Sequence, residues 1–191
     1  MLKGSLTEIN LLKAFTGKSQ ARNRYSYFAK VAKEEGHPII EQVFEQTSEY
    51  ERILAKRFFK LLPGGNLEIT ECFLSGYIGN TIENLNLSVQ EEKKDWDKIY
   101  PAYLNTARTE GFETIAQIFE AIIEADKYHY ERLVMIRRRM QKGELYKRSK
   151  KVRWRCRKCG YIHLGTHAPQ VCLACVHPQG YFDVVDEVAI L

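Results

Sequence analysis

The chain has 191 residues and a mass of 22.3 kDa, enough for one domain or for one domain plus a small module. Apolar residues make up 45% and charged residues 28%, a globular mix that excludes global disorder. No apolar run reaches the roughly 18 residues that a membrane span needs. The net charge of +5 hides an asymmetry: twelve basic residues and a single acid, Glu144, fall between Arg137 and Lys158, so this stretch carries +11 and the remainder −6. No nucleic-acid-binding motif accompanies it, so it reads as a connector lying against an acidic body, or as a guide for an acidic redox partner. The opening residues, Met1-Leu2-Lys3-Gly4-Ser5, lack the apolar stretch of a secretory signal, and the expectation is a cytoplasmic protein.

Residues 1 to about 145 read as helical. Leu11, Leu12, Phe15, Tyr25, Phe28, Ala29 and Ala32 recur at helical spacing, and Gly36-His37-Pro38 breaks this first helix. Ile39, Ile40, Val43, Phe44, Leu54, Phe58, Leu61 and Leu62 mark a second, ended by Pro63-Gly64-Gly65. Leu67 to Ser75 reads as a loop or short crossover. A third helix is predicted from about Gly76 to Tyr100, kinked or interrupted before Pro101. Gly111 separates it from a last helix over about Glu113 to Gln141, stopped by Gly143. Lys33-Glu34-Glu35-Gly36 with Val43-Phe44 resembles Arg108-Thr109-Glu110-Gly111 with Ile118-Phe119, an offset of 75 residues. Two helical hairpins joined by a long crossover predict a four-helix bundle of the ferritin-like type over 1–145. Residues 146–153 read as a basic linker, and 154–191 as a small loop-rich domain that needs a staple.

That staple is legible. Cys156-Arg157-Lys158-Cys159-Gly160 and Cys172-Leu173-Ala174-Cys175 are two CxxC knuckles, a spacing that lets four thiolates converge on one tetrahedral ion, zinc or iron. Trp154, Tyr161 and Tyr181 are expected to form a thin aromatic core around it. His163, His167 and His177 read as surface residues, because four thiolates saturate the ion. Cys72, the fifth cysteine, reads as a small buried apolar residue.

The bundle offers a second set of donors. Glu51 lies on the second helix, Glu92 and Asp95 on the third, and Asp126 with His129 on the last. The pairs Glu92/Asp95 and Asp126/His129 are three residues apart and so share a helical face. Each acid alone also reads as part of a solvated face.

Taken together, the chain resembles the rubrerythrins. The resemblance rests on Gly17 to Tyr25, Glu51 to Phe59, Tyr100-Pro101, Ala107 to Gly111, and Trp154 through Pro178. It implies a ferritin-like di-iron bundle, a rubredoxin-like Fe(Cys)4 domain, peroxide reduction fed by electrons through that iron, and a dimer that sets one chain's rubredoxin centre against the other's bundle. By the same resemblance Glu51, Glu92 and His129 match ligand positions, while Asp95 and Asp126 are shortened versions of glutamates. Lys18 stands where a ligating glutamate is expected and Leu54 where a histidine is. Leu173 replaces a usual proline in the second knuckle. Tyr25 and Tyr100 match tyrosines beside the di-iron centre.

These departures set the functional expectation. A protonated lysine cannot ligate a metal, so Lys18 is expected to supply part of one iron's charge among Glu51, Glu92, Asp95 and Asp126, with Leu54 filling the histidine's volume. A single metal on Glu92, Asp126 and His129 is left open, which makes the bundle count zero to two ions. The leading reading is an electron-transfer protein acting through Fe(Cys)4. The alternatives are a working di-iron peroxidase and a zinc-stapled structural protein. The expected partners are a second copy of the chain, or an intact relative in a mixed dimer, together with an electron-donor protein, and neither nucleic acid nor membrane.

Overall fold

The computed structural model describes residues 1–185. Residues 186–191, the end of the expected small domain, lie outside the described residues. Helices α1 (Leu6–Glu34) and α2 (Pro38–Phe59) form one hairpin. The other pairs α3 (Thr81–Lys94) and α4 (Tyr100–Thr109), joined by a π-turn at Asp95–Ile99, with α5 (Glu113–Gln141). The expected four-helix bundle is therefore present, its third helix being α3 and α4 in series. None of the helices described is long and apolar enough to cross a membrane.

The repeat seen in the sequence is a repeat of turn chemistry. At the first turn His37 N–H donates to Ala32 at 2.8 Å and Gly36 N–H to Lys33 at 3.0 Å. Phe112 donates to Ala107 and Gly111 to Arg108 at the same two distances. Both glycines have φ near +80°, at 78° and 79°, as this helix-closing motif requires. The glutamate before each glycine then caps a helix of the opposite hairpin. Glu35 accepts from Thr81 N–H at 3.0 Å, and Glu110 accepts from Leu6 and Thr7 N–H at 3.0 and 2.8 Å.

Two sequence readings need correction here, and the expected interruption before Pro101 is present. The third helix begins at Thr81, not Gly76, because Asn80 and Glu83 form a reciprocal capping box. The interruption before Pro101 is a widened turn in which Tyr100 N–H reaches back to Asp95. Pro101, which has no N–H and whose ring would crowd the carbonyl four residues back, follows directly. Cys72 is exposed rather than buried, on the extended crossover between α2 and α3.

The stretch expected to be a basic linker instead forms most of β1 (Lys147–Cys156), which pairs with β2 (Ile162–His167) and β3 (Phe182–Val184) in the order β2-β1-β3. The register is irregular between Lys147 and Val152. Trp154, Cys156, Ala168, Cys172, Phe182 and Val184 are the buried core of this domain, with Tyr161 packed against them and Tyr181 turned instead to His177. Trp154 donates its indole N–H to Gly165 at 3.0 Å. The small domain rests on the start of α2, where Arg157 donates to the Pro38 carbonyl at 3.2 Å.

Inside the bundle two apolar clusters are separated by a polar layer. One cluster contains Tyr25, Phe28, Ile40, Phe44, Leu85 and Leu133; the other contains Leu11, Phe58, Tyr100, Ile115 and Phe119. Lys18, Glu51, Glu92, Asp126 and His129 lie between these sets in every helix's order, and all are buried.

Candidate metal centres

The four knuckle cysteines converge. Cys156 and Cys175 sulfurs are 3.7 Å apart and Cys159 and Cys172 sulfurs 3.6 Å. Sulfurs at the corners of a tetrahedron around an ion at about 2.3 Å stand about 3.8 Å apart, so the arrangement fits one such ion. Burial would push the Cys172 thiol up, but N–H groups of Ala174 and Cys175 draw it down to about 7. Cys175 goes the other way, to about 12, because its sulfur neighbours outweigh the N–H of His177. Four thiols this close cannot all ionise without a cation among them. The three nearby histidines take no part in the thiol cluster.

The two knuckles are built alike. Gly160 N–H donates to the Cys156 carbonyl at 2.8 Å, and Val176 N–H to the Cys172 carbonyl at 2.9 Å. Both residues have positive φ, 78° and 55°, but Val176 is β-branched and 81% exposed, so its strain is not offset by burial. Val176→Gly is expected to stabilise the metal-loaded domain by about 1 kcal/mol, net of glycine's greater freedom when unfolded. A higher midpoint for thermal loss of the metal checks this.

The polar layer of the bundle centres on Lys18, whose ammonium is fully buried. It donates to both oxygens of Asp126 at 2.8 Å and to Glu51 at 3.0 Å. Asp95 lies farther off, at 4.0 Å and partly exposed, and the Tyr100 ring lies 5.3 Å below the ammonium. Burial would strip the proton from Lys18, but Asp126 and Glu51 hold it well above an ordinary lysine. Burial would raise Glu51 too, and Lys18 with His129 brings it below the usual carboxylate range. Asp126 ends near 6, burial outweighing Lys18. Glu92 is driven well up by burial and by the Glu51 charge, and accepts a hydrogen bond from Tyr25.

Donor atoms of Glu51, Glu92, Asp126 and His129 all lie within 4.8 Å of one another. His129 Nδ1 is 3.5 Å from Glu51 and 3.7 Å from Asp126. That nitrogen and the second oxygen of Glu92 have no hydrogen-bond partner, while the second oxygen of Glu51 is ion-paired to Lys18 at 3.0 Å. Leu54 lies outside this group and packs on the apolar cluster around Phe58. Sequence reasoning missed Tyr50, which stacks on the His129 ring at 5.1 Å; it reaches across from another helix and leaves no periodic signal. The chemistry of Glu51, Glu92, Asp126 and His129 fits a metal ion. The Lys18 ammonium lies within hydrogen-bond distance of both Glu51 and Asp126.

A helical bundle carrying a carboxylate–imidazole group, followed by a four-thiolate domain, defines a two-centre protein of the ferritin-like type. Residues 10–137 match the family model for rubrerythrin, and 154–183 match that for the rubrerythrin rubredoxin-like domain. The chain is 46% identical to a rubrerythrin of Porphyromonas gingivalis, over 95% of this chain and 91% of that one. It is 45% identical to one of Nitratidesulfovibrio vulgaris, over 96% of each. Among solved structures, fully reduced nigerythrin superposes with a TM-score of 0.64 at 28% identity, covering 95% of this chain and 87% of that one. The chain belongs to the rubrerythrin family, and with its four-cysteine domain it is an iron-binding redox protein.

Proposed function

We propose that this chain is an electron-transfer protein whose working centre is iron held by Cys156, Cys159, Cys172 and Cys175, and that its bundle does not form a two-metal centre. The position of the Lys18 ammonium, within hydrogen-bond distance of both Glu51 and Asp126, carries the reading. Peroxide reduction at a di-iron site needs two close metals to supply electrons and hold both oxygens. Here a fixed ammonium holds one of those places, and Leu54 offers no donor atom. When bound, the sulfur-held iron supplies reversible one-electron chemistry. The protein's part is to crowd four thiolates together, aim N–H groups at them and bury Cys156 and Cys172.

The small domain rests on Pro38, thirteen residues before Glu51 in α2, which is about 20 Å along a helix axis. That separation supports delivery of electrons to another molecule rather than to the chain's own bundle. The reading includes a cytoplasmic setting, an electron-donor protein, and a dimer with a second copy or with a relative whose bundle keeps both metals.

The test is anaerobic purification from iron-rich medium, followed by metal counting, visible spectroscopy and a peroxide assay. The reading expects thiolate-to-iron absorption that bleaches and recovers with redox cycling, fewer than three irons per chain, and peroxide turnover unchanged by His129→Ala. Three irons per chain, or turnover abolished by His129→Ala, would establish the di-iron peroxidase instead. A colourless zinc-loaded protein would establish the structural reading. The double variant Lys18→Glu/Leu54→His is expected to restore a second bundle ion; no gain in metal refutes the idea that these two residues closed the site.

A further inference from the structure

We infer that the bundle binds a single divalent cation on Glu51, Glu92, Asp126 and His129, with the Lys18 ammonium serving as the built-in replacement for a second ion. The inference rests on the reading above and deepens it by fixing the count and the donor set.

Three observations support it. First, the donors lie within 4.8 Å of one another and two of them are left unsatisfied. His129 Nδ1 and the second oxygen of Glu92 are buried without a hydrogen-bond partner, on residues that are 4% and 3% exposed. Such groups are costly in a protein interior unless something binds them. Second, the layer is held from behind. Tyr25 donates to the other oxygen of Glu92, Lys18 fixes Glu51 and Asp126, and Tyr50 stacks on the His129 ring. These contacts orient the donors as outer partners do in metal sites.

Third, the charge count selects the number of ions. Ionised, Glu51, Glu92, Asp95 and Asp126 carry −4. Lys18 and one dication return +3, while a second dication would leave a buried site net positive. Carboxylates with an imidazole and no thiolate suit Mn(II), Fe(II) or Zn(II), whereas the four cysteines favour iron or zinc. Manganese therefore probes the bundle alone.

The experiment titrates Mn(II) into the full chain carrying a single iron, at the cysteines, counting bound metal by dialysis and reading its electron paramagnetic resonance. The parent is expected to bind one Mn(II) per chain as a magnetically isolated ion. His129→Ala and, independently, Glu92→Gln should weaken binding by roughly tenfold or more. Lys18→Glu should admit a second ion, coupled to the first in the spectrum. No saturable Mn(II) in the parent would overturn the inference while leaving the electron-transfer reading intact. So would binding that neither His129→Ala nor Glu92→Gln affects, which is surface adsorption. Two coupled ions in the parent would overturn both.

Discussion

Replacing Lys18 with methionine is expected to destabilise the metal-free chain by about 3–5 kcal/mol, the cost of leaving buried charges without their partner. Asp126 and Glu51 are both fully buried, and the ammonium is the cation within 3 Å of either. The cost should depend on pH. Asp126 stands near 6 even with Lys18 present, so in the folded state it binds a proton that the unfolded chain releases. For such a raised carboxyl, stability falls as pH rises from the unfolded value toward the folded one. Loss of the ammonium moves the folded value higher still, so the penalty should be smaller at pH 5 than at pH 8. Urea denaturation at both values measures it. A penalty below about 1 kcal/mol at pH 8 would mean that desolvation of the ammonium cancels what the pairing returns.

Cys156→Ser is expected to unfold residues 154–185 while leaving the bundle folded. The small domain buries few large side chains, chiefly Trp154 and Phe182, whereas a four-thiolate ion in a small domain contributes on the order of 10 kcal/mol of folding free energy. The bundle's helices draw on separate apolar clusters. Helical circular dichroism should therefore change little, the thiolate-to-iron colour should vanish, and limited proteolysis should trim the chain back to about residue 146. Removal of the iron by a chelator under reducing conditions should reproduce all three changes in the parent. A small domain that resists protease without metal would show that its aromatic core suffices.

Much of this architecture can be read from the residues because local chemistry and tertiary position coincide. Gly36 and Gly111 end helices in the sequence and in the structure for one reason, a left-handed closing residue. The CxxC spacing specifies its own geometry. Lys18 was equally legible: it falls in the stripe Leu11, Ala14, Lys18, Ala21, Tyr25, Phe28, every member of which is buried, so helical spacing alone places a charge in the core. Its partners Glu51 and Asp126 come from helices 33 and 108 residues away, so spacing does not reveal them; the family resemblance is what placed them beside it. The π-turn at Asp95–Ile99 escaped because widened turns have no periodic signature. Cys72 was misread because an extended crossover offers it no apolar face to join. Val176 could have been found by laying the two knuckles over one another, which sets it opposite Gly160.

The reciprocal caps have a consequence of another kind. Glu35 closes the start of α3 and Glu110 closes the start of α1, so each hairpin finishes the other's leading helix with the same residue at the same place. Two identical hairpins meeting about a two-fold axis would make these contacts twice over, residue i to j and j to i. The bundle is thus a tethered pair of self-complementary halves. An excised hairpin lacks the acceptor for its own first helix and would seek it in another copy of itself. The asymmetry of the present chain is concentrated in the middle layer: the 75-residue offset carries buried Lys18 onto Lys93, which is exposed.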